Sequence, residues 1–239
     1  MENNKCRFVM ALFSAMLFCL VTVLPASAGW FQVDGEGEKA WISDGKMKFQ
    51  SPGEPQWMAF DLNKETVTLV KPDQKIYARA PIETYCGILA QFSQSMDEMG
   101  ATFGGESGKP SNIEVSHAGS GGKIAGFDTE KYKVTVNGEL YEEIWLADAA
   151  VVLEEIVDAD GFEPLVKCMS DGDTVEASPD YLALSKKGWE LKSVSHDMGM
   201  AEVETEIVKL AEKSIPASAF EPPAGFTEVS LEQIFGMGP

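Results

Sequence analysis

The 239-residue sequence predicts an α+β fold in which antiparallel strands dominate. Three observations predict it. Short alternating runs recur at roughly ten-residue spacing between Lys39 and Arg79, as in a strand meander. At Pro81 the apolar period lengthens to three and four residues, the stripe of an amphipathic helix. Between Gly126 and Leu146 two alternating arms flank Asn137-Gly138, a pair that tolerates positive φ in a type I′ hairpin turn.

The first arms are Lys39 to Ser43 and Lys46 to Phe49, turned by Asp44-Gly45. Ser51 to Pro55 is a Pro/Gly loop before strands at Trp57 to Asp61, Thr66 to Val70 and Lys75 to Arg79. The helix carries Ile82, Tyr85, Cys86, Leu89, Phe92, Met96 and Met99 on one face, with Pro81 at its first turn and Gly100 as its stop. Ile113 to His117 reads as a strand and Ala118 to Gly122 as a turn. In the hairpin that follows, a two-residue loop sets Val134 opposite Tyr141 and Lys133 opposite Glu142. Glu143 then shares a face with Tyr132, Tyr141 and Trp145, which a solvent-open face, a bulge or a carboxylate at a cavity mouth would accommodate.

Ala149 to Val157 could begin a second helical stretch, broken by Asp158 to Gly161. Ser178 is an N-cap for a short helix that Gly188 ends. Trp189 to His196 and Ala201 to Leu210 alternate as strands, the latter with Glu202, Glu204 and Glu206 on its solvated face.

Residues 1–28 read as a cleaved secretory signal. Lys5 and Arg7 precede an apolar run from Phe8 to Leu24, and Ala26-Ser27-Ala28 offers small residues for cleavage before Gly29. An uncleaved anchor or a lipoprotein built on Cys19 are the rival readings. Residues 29–239 then form one domain, periplasmic or extracellular, monomeric and without a membrane insertion of its own. Removing Glu2, Lys5 and Arg7 from 38 acidic and 19 basic residues leaves 37 and 17, a net charge of −20. Such a surface repels nucleic acid and anionic membranes, and suits basic partners or cations. Cys86 and Cys168 are the two cysteines left in that oxidising compartment, and are expected to be bonded; two buried thiols are the alternative.

Catalytic and cofactor motifs are thin. Gly104 to Pro110 is glycine-rich but lacks the Gly-Lys-Ser/Thr ending of a phosphate loop. Asp158 to Gly161 lacks the spacing of a calcium loop. His196, Asp197, Met198 and Met200 only faintly suggest copper. No Gly-x-Ser-x-Gly or His-Glu-x-x-His occurs, so the expectation is no catalytic residue, no metal and no cofactor.

Four pieces together resemble a known group. They are Trp41 to Phe49 with its Asp-Gly-Lys-Met-Lys turn, Phe60 to Tyr77, Ile124 to Trp145, and Ile215 to Phe226. The chain resembles the DUF4412 family and, more broadly, periplasmic proteins of the lipoprotein-carrier (LolA/LolB-like) fold. That resemblance implies a curved, incomplete antiparallel β-barrel with helices covering its concave face, and an apolar interior able to take acyl chains. Two positions depart from the pattern: Thr129 stands where members often carry Cys, and Lys46 or Lys48 where carriers hold an arginine against the lid.

The expected function is a non-catalytic binding or carrier protein for a lipid, acyl or lipoprotein ligand. Its pocket would be lined by Trp57, Tyr132, Val134, Tyr141 and Trp145, with Tyr85, Leu89, Phe92 and Met96 of the helix as cover. The alternative is an interaction protein with a filled core that docks a basic partner through its acidic surface.

Overall fold

A computed structural model describes residues 26–101, 112–148, 156, 159–169, 175–176, 178–196 and 203–237. The side chains of 26, 27, 92–101 and 169 are outside that description. So are residues 1–25, which hold most of the expected signal, the Gly104 to Pro110 loop and the stretch 149–155.

Among the described residues one sheet has twelve strands in the order β12-β6-β5-β4-β3-β2-β1-β11-β10-β9-β8-β7. It is open, with β12 and β7 at its ends. In chain order β1 is Ala26–Asp34, β2 Lys39–Ser43, β3 Lys46–Gln50, β4 Trp57–Asp61, β5 Thr66–Lys71 and β6 Ile76–Pro81. Helix α1 (Ile82–Ala101) separates these from β7 (Ile113–Ile124), β8 (Phe127–Val136) and β9 (Glu139–Ala147). Helices α2 (Phe162–Met169) and α3 (Pro179–Ser185) precede β10 (Trp189–Ser195) and β11 (Val203–Pro216). A 3-10 helix (Ala217–Phe220), β12 (Thr227–Glu228) and α4 (Leu231–Ile234) close the described chain. Neighbours are antiparallel except β12 on β6. β11 pairs with β1 on one side and β10 on the other, and so joins two meanders into one sheet.

The turns follow from local chemistry. Asp44-Gly45 (φ 54° and 68°) and Asn137-Gly138 (φ 54° and 85°) take the paired positive φ of type I′ loops. Ala125-Gly126 does the same at φ 49° and 91° and turns β7 into β8. The turn expected at Ala118 to Gly122 is absent. β7 runs through it, with register shifts between His117 and Gly119 and between Ser120 and Gly122. Glycine marks bulges as well as turns. Here Gly121 leaves room for Trp145, whose Cδ1 would lie 2.4 Å from any Cβ at 121.

The register of the β8–β9 hairpin is corrected in the same way. Thr135 faces Leu140 and Val134 faces Glu142, so Tyr141 is the extra residue of a bulge. From there Lys133 faces Glu143 and Lys131 faces Trp145, one step away from the simple hairpin register. β11 also breaks its alternation. A shift at Val33/Asp34 leaves Val208 unpaired and 56% exposed, while Ile207 and Leu210 are both buried.

The main hydrophobic cluster gathers Ile42, Phe60, Leu62, Val67 and Ala78 from the sheet with Ile82, Tyr85 and Ile88 of α1. Phe162 and Leu165 of α2 and Leu231 and Ile234 of α4 join it. A second cluster holds Val134, Val136, Ile144 and Leu146 with Val175 and Leu184 of α3. Ser178 caps α3, its Oγ accepting from the Tyr181 N–H at 3.3 Å. No helix among the described residues is long and apolar enough to cross a membrane. Cys86 and Cys168 form a disulfide with Cα atoms 5.4 Å apart, tying α1 to α2.

Gly161 seats α2. A Cβ there would lie 2.7 Å from the Leu62 carbonyl oxygen and 3.1 Å from its Cα, both backbone atoms. The Gly161 N–H also donates to that oxygen at 3.1 Å. Gly161→Ala is expected to cost about 1–3 kcal/mol, read as a lower urea midpoint, because backbone at both sides must yield. An unchanged midpoint would mean that the loop moves freely.

Candidate functional site

Two cavities of more than 200 Å³ among the described residues lie against the sheet. The larger, about 410 Å³, is lined by Phe49, Met58, Leu69 and Tyr85, with Ile234 and Phe235 from the C-terminal segment. Its volume falls within the roughly 300–1,000 Å³ of small-molecule sites. Tyr85 projects into this region from the second turn of α1. Its ring stacks on Phe235 at 6.3 Å and meets the edge of Phe60 at 6.0 Å, and burial raises its pKa. Glu38, Glu54, Gln56 and Lys71 add polar atoms to the lining.

The C-terminal segment forms part of that wall through a few attachments. β12 runs parallel to β6, with Thr227 N–H to Lys75 carbonyl at 2.9 Å and Val229 N–H to Tyr77 carbonyl at 2.8 Å. The Tyr77 hydroxyl donates to Glu228 at 3.0 Å. Ser230 and Gln233 close a capping box at the start of α4. At its other end Lys71 Nζ donates to the Ile234 carbonyl at 2.6 Å, a cation on the free carbonyls of a helix C-terminus.

The smaller cavity, about 230 Å³, lies where the two clusters meet. Met47, Ile144, Leu146, Ile156, Phe162, Leu184 and Trp189 line it, with Tyr181, Ser185 and Glu190 as its polar side chains. Beside it Glu142 is buried, and accepts from the Tyr181 hydroxyl at 2.9 Å. Burial first, then the charge of Glu190, pushes the Glu142 pKa up to about 7. Burial also raises Glu190. Glu190 keeps accessible surface because it lines the cavity, while the protein around that cavity desolvates its carboxylate. Burial and Glu142 together raise Tyr181. Tyr141, the bulged residue, donates to Glu176 at 2.7 Å.

Glu143 lies on the opposite face of the sheet. Lys131 Nζ is 2.8 Å away, Lys133 Nζ 3.6 Å and His196 Nε2 3.6 Å. The Lys131 hydrogen bond holds its pKa below the usual carboxylate range. Two adjacent glutamates thus shift in opposite directions on opposite faces, and they do not form an acid–base pair. Asp197, Met198 and Met200 lie outside the described residues.

The residues expected to line one pocket are distributed more widely. Tyr85 lines the larger cavity and Leu89 packs on the main cluster. The side chains of Phe92 and Met96 lie outside the described residues. Trp57 lines the larger cavity, and also packs with Trp41, Ala59, Ile215 and Phe220, the Lys48 Nζ standing 4.0 Å above its ring. Tyr132, Val134 and Tyr141 belong to the second cluster and line neither cavity. Trp145 turns away from them, under Lys131 Nζ at 4.3 Å and Lys192 Nζ at 5.5 Å. Thr129 is buried and donates to the Gly122 carbonyl at 3.0 Å.

Sequence reasoning missed Glu142, Glu190 and Tyr181, for which single residues in alternating strands give no signal. It also missed α4, although Ser230 and Gln233 three residues apart beside Leu231 and Ile234 are a readable helix start. A family model described as "Domain of unknown function (DUF4412)" matches residues 34–226. No curated protein matches the chain.

Proposed function

The chain belongs to the DUF4412 family, and on that basis we propose that it is a non-catalytic binding or carrier protein for hydrophobic ligands, exported to the periplasm. In this reading the open sheet curves into an incomplete barrel, with α1, α2 and α4 over its concave face. The observation that carries it is the larger cavity: about 410 Å³, walled by Phe49, Met58, Leu69, Tyr85, Ile234 and Phe235. An acyl chain gains from contact with such walls at about 25 cal/mol per Å² of apolar surface removed from water. Access comes from displacing the C-terminal segment. Two strand hydrogen bonds, the Tyr77–Glu228 contact and the Lys71 cap hold it to the sheet edge, besides the packing of Leu231 and Ile234.

The test is to purify the exported protein without detergent, extract it, and identify bound molecules by mass spectrometry. A lipid or acyl species at near one equivalent is expected. Trp57 borders the cavity, so tryptophan fluorescence should respond to fatty acids or lipopeptides, and Leu69→Trp, which fills the cavity, should weaken binding about tenfold or more. No co-purified lipid together with no fluorescence response would sink the reading. Capture of a basic protein partner that is lost in high salt would favour docking through the acidic surface instead.

A further inference from the structure

The smaller cavity has a different polarity from the larger one. Its walls are apolar, as Ile144, Leu146, Leu184 and Trp189 show, but its polar side chains are the Glu190 carboxylate, the Tyr181 hydroxyl with Glu142 directly behind it, and the Ser185 hydroxyl, which donates to the Leu182 carbonyl at 2.9 Å. Glu190 and Glu142 repel one another, and Glu176 adds to the negative field at Glu142. Among the described residues no lysine, arginine or histidine is ion-paired with Glu142 or Glu190. From β10, Ser193 lies where it favours the charged forms of both carboxylates. Tyr141 is taken up by Glu176. Of the two lysines in the turn after α3, Lys187 stands over the Tyr132 ring at 5.0 Å, and the charge of Lys186 acts on Glu163 of α2. On α2, Glu163 is held by Lys167 at 2.8 Å on the surface.

An apolar chamber with a carboxylate and, among the described residues, no counter-ion selects its ligand by head group. A carboxylate or phosphate entering it meets the like charge of Glu190 beside apolar walls, which screen it less than open water does. An ammonium meets opposite charge and brings three donors for the free carboxylate lone pairs. We infer that this cavity is a site for a small hydrophobic amine, its ammonium at Glu190 and within the field of Glu142 behind Tyr181, and its apolar part against Ile144, Leu184 and Trp189. The inference rests on the reading of the protein as a binder of hydrophobic ligands, and assigns this second chamber a cationic ligand class.

The experiment uses three chain-matched probes, octylamine, octanol and octanoate, titrated calorimetrically into the mature protein at pH 8 and pH 5.5. Leu184→Trp fills the chamber, so only binding that this variant abolishes is counted. Octylamine is expected to bind at least about tenfold tighter than octanol at pH 8, with octanoate weakest. The preference should shrink at pH 5.5, where Glu142 carries its proton. Glu190→Gln and Glu142→Gln should each remove most of the preference while leaving octanol within about twofold, which also shows that the variants are folded. Octanoate equal to octylamine, or an amine preference that survives Glu190→Gln, overturns the head-group assignment and leaves the hydrophobic-binder reading standing. Binding of none of the three overturns this chamber as a ligand site, whatever the larger cavity retains on extraction.

Discussion

Replacing Glu142 by Gln is expected to stabilise the protein by about 3 kcal/mol at pH 9 and by almost nothing at pH 4. Glu142 is 9% exposed, and its pKa rises from 4.5 to about 7 on folding, chiefly through burial. A carboxyl group with a raised pKa binds its proton more tightly in the folded state. Its contribution is therefore fully present below pH 4.5 and is lost as the pH climbs through about 7. A shift of that size corresponds to about 3 kcal/mol at 1.36 kcal/mol per pH unit. Gln stays neutral throughout, and its amide oxygen can still accept from the Tyr181 hydroxyl, so the variant escapes the loss without giving up the bond. Urea unfolding of both proteins at pH 4, 6, 7.5 and 9 reads the difference directly. It should open between pH 5 and 8 and be nearly flat outside that window. A gap of equal size at every pH would mean that packing, and not ionisation, separates Gln from Glu. Glu190 shifts in the same direction, so Glu190→Gln should show a gap of the same sign.

The opposite behaviour of Glu142 and Glu143 shows where sequence reading runs out. Both lie four or five residues past Asn137-Gly138, and the turn itself was legible because positive φ is a property of those two residues alone. Which of the pair enters the interior depends on one extra residue, Tyr141, in the strand after the turn. What favours a bulge there is tertiary. Tyr141 reaches Glu176 and Glu142 reaches Tyr181, contacts made by segments 35 and 39 residues further along. The same holds for the glycines of β7. Ala118 to Gly122 is rich in turn residues, and only the indole of Trp145 beside Gly121 makes it a bulged strand. Strand existence was readable from alternation in β2 to β6, where the next strand is the neighbour. The place of β11 between β1 and β10 was not, because it pairs with β1 across 173 positions at Asp34 and Ile207 and up to 190 at Ala26 and Pro216. The larger cavity inherits that difficulty. Tyr85 was visible as part of a helical stripe, but Phe235 comes from the far end of the described chain and meets it only after β12 has paired with β6.

Loss of the Cys86–Cys168 bond should cost the protein about 4 kcal/mol. The two cysteines are 82 positions apart, and the closed loop contains most of α1, all of β7 to β9 and nearly all of α2. Restricting so long a loop in the unfolded chain stabilises the folded state by about 4 kcal/mol in the chain-entropy account. Both cysteines also pack against the main cluster, so the double replacement Cys86→Ala and Cys168→Ala removes little polar surface and leaves a small apolar gap. Urea unfolding should therefore report a lower midpoint for the variant, by an amount that reducing agent reproduces in the native protein and does not increase in the variant. Equal midpoints for the oxidised and reduced native protein would remove the bond from the list of stabilising features. A second consequence ties the bond to the larger cavity. Cys86 follows Tyr85 on the first turns of α1, and the disulfide fixes those turns to α2 while Tyr85 stacks on Phe235 from the other side. Without the bond α1 keeps its apolar face and the hydrogen bond from the Ile82 N–H to the Glu65 carbonyl at 2.9 Å. The cavity wall then opens at α1 as well as at the C-terminal segment. Lipid retained through native purification should fall in the double variant even at temperatures where the protein stays folded. If retention is unchanged while the midpoint drops, α1 is a fixed wall and the C-terminal segment is the moving part.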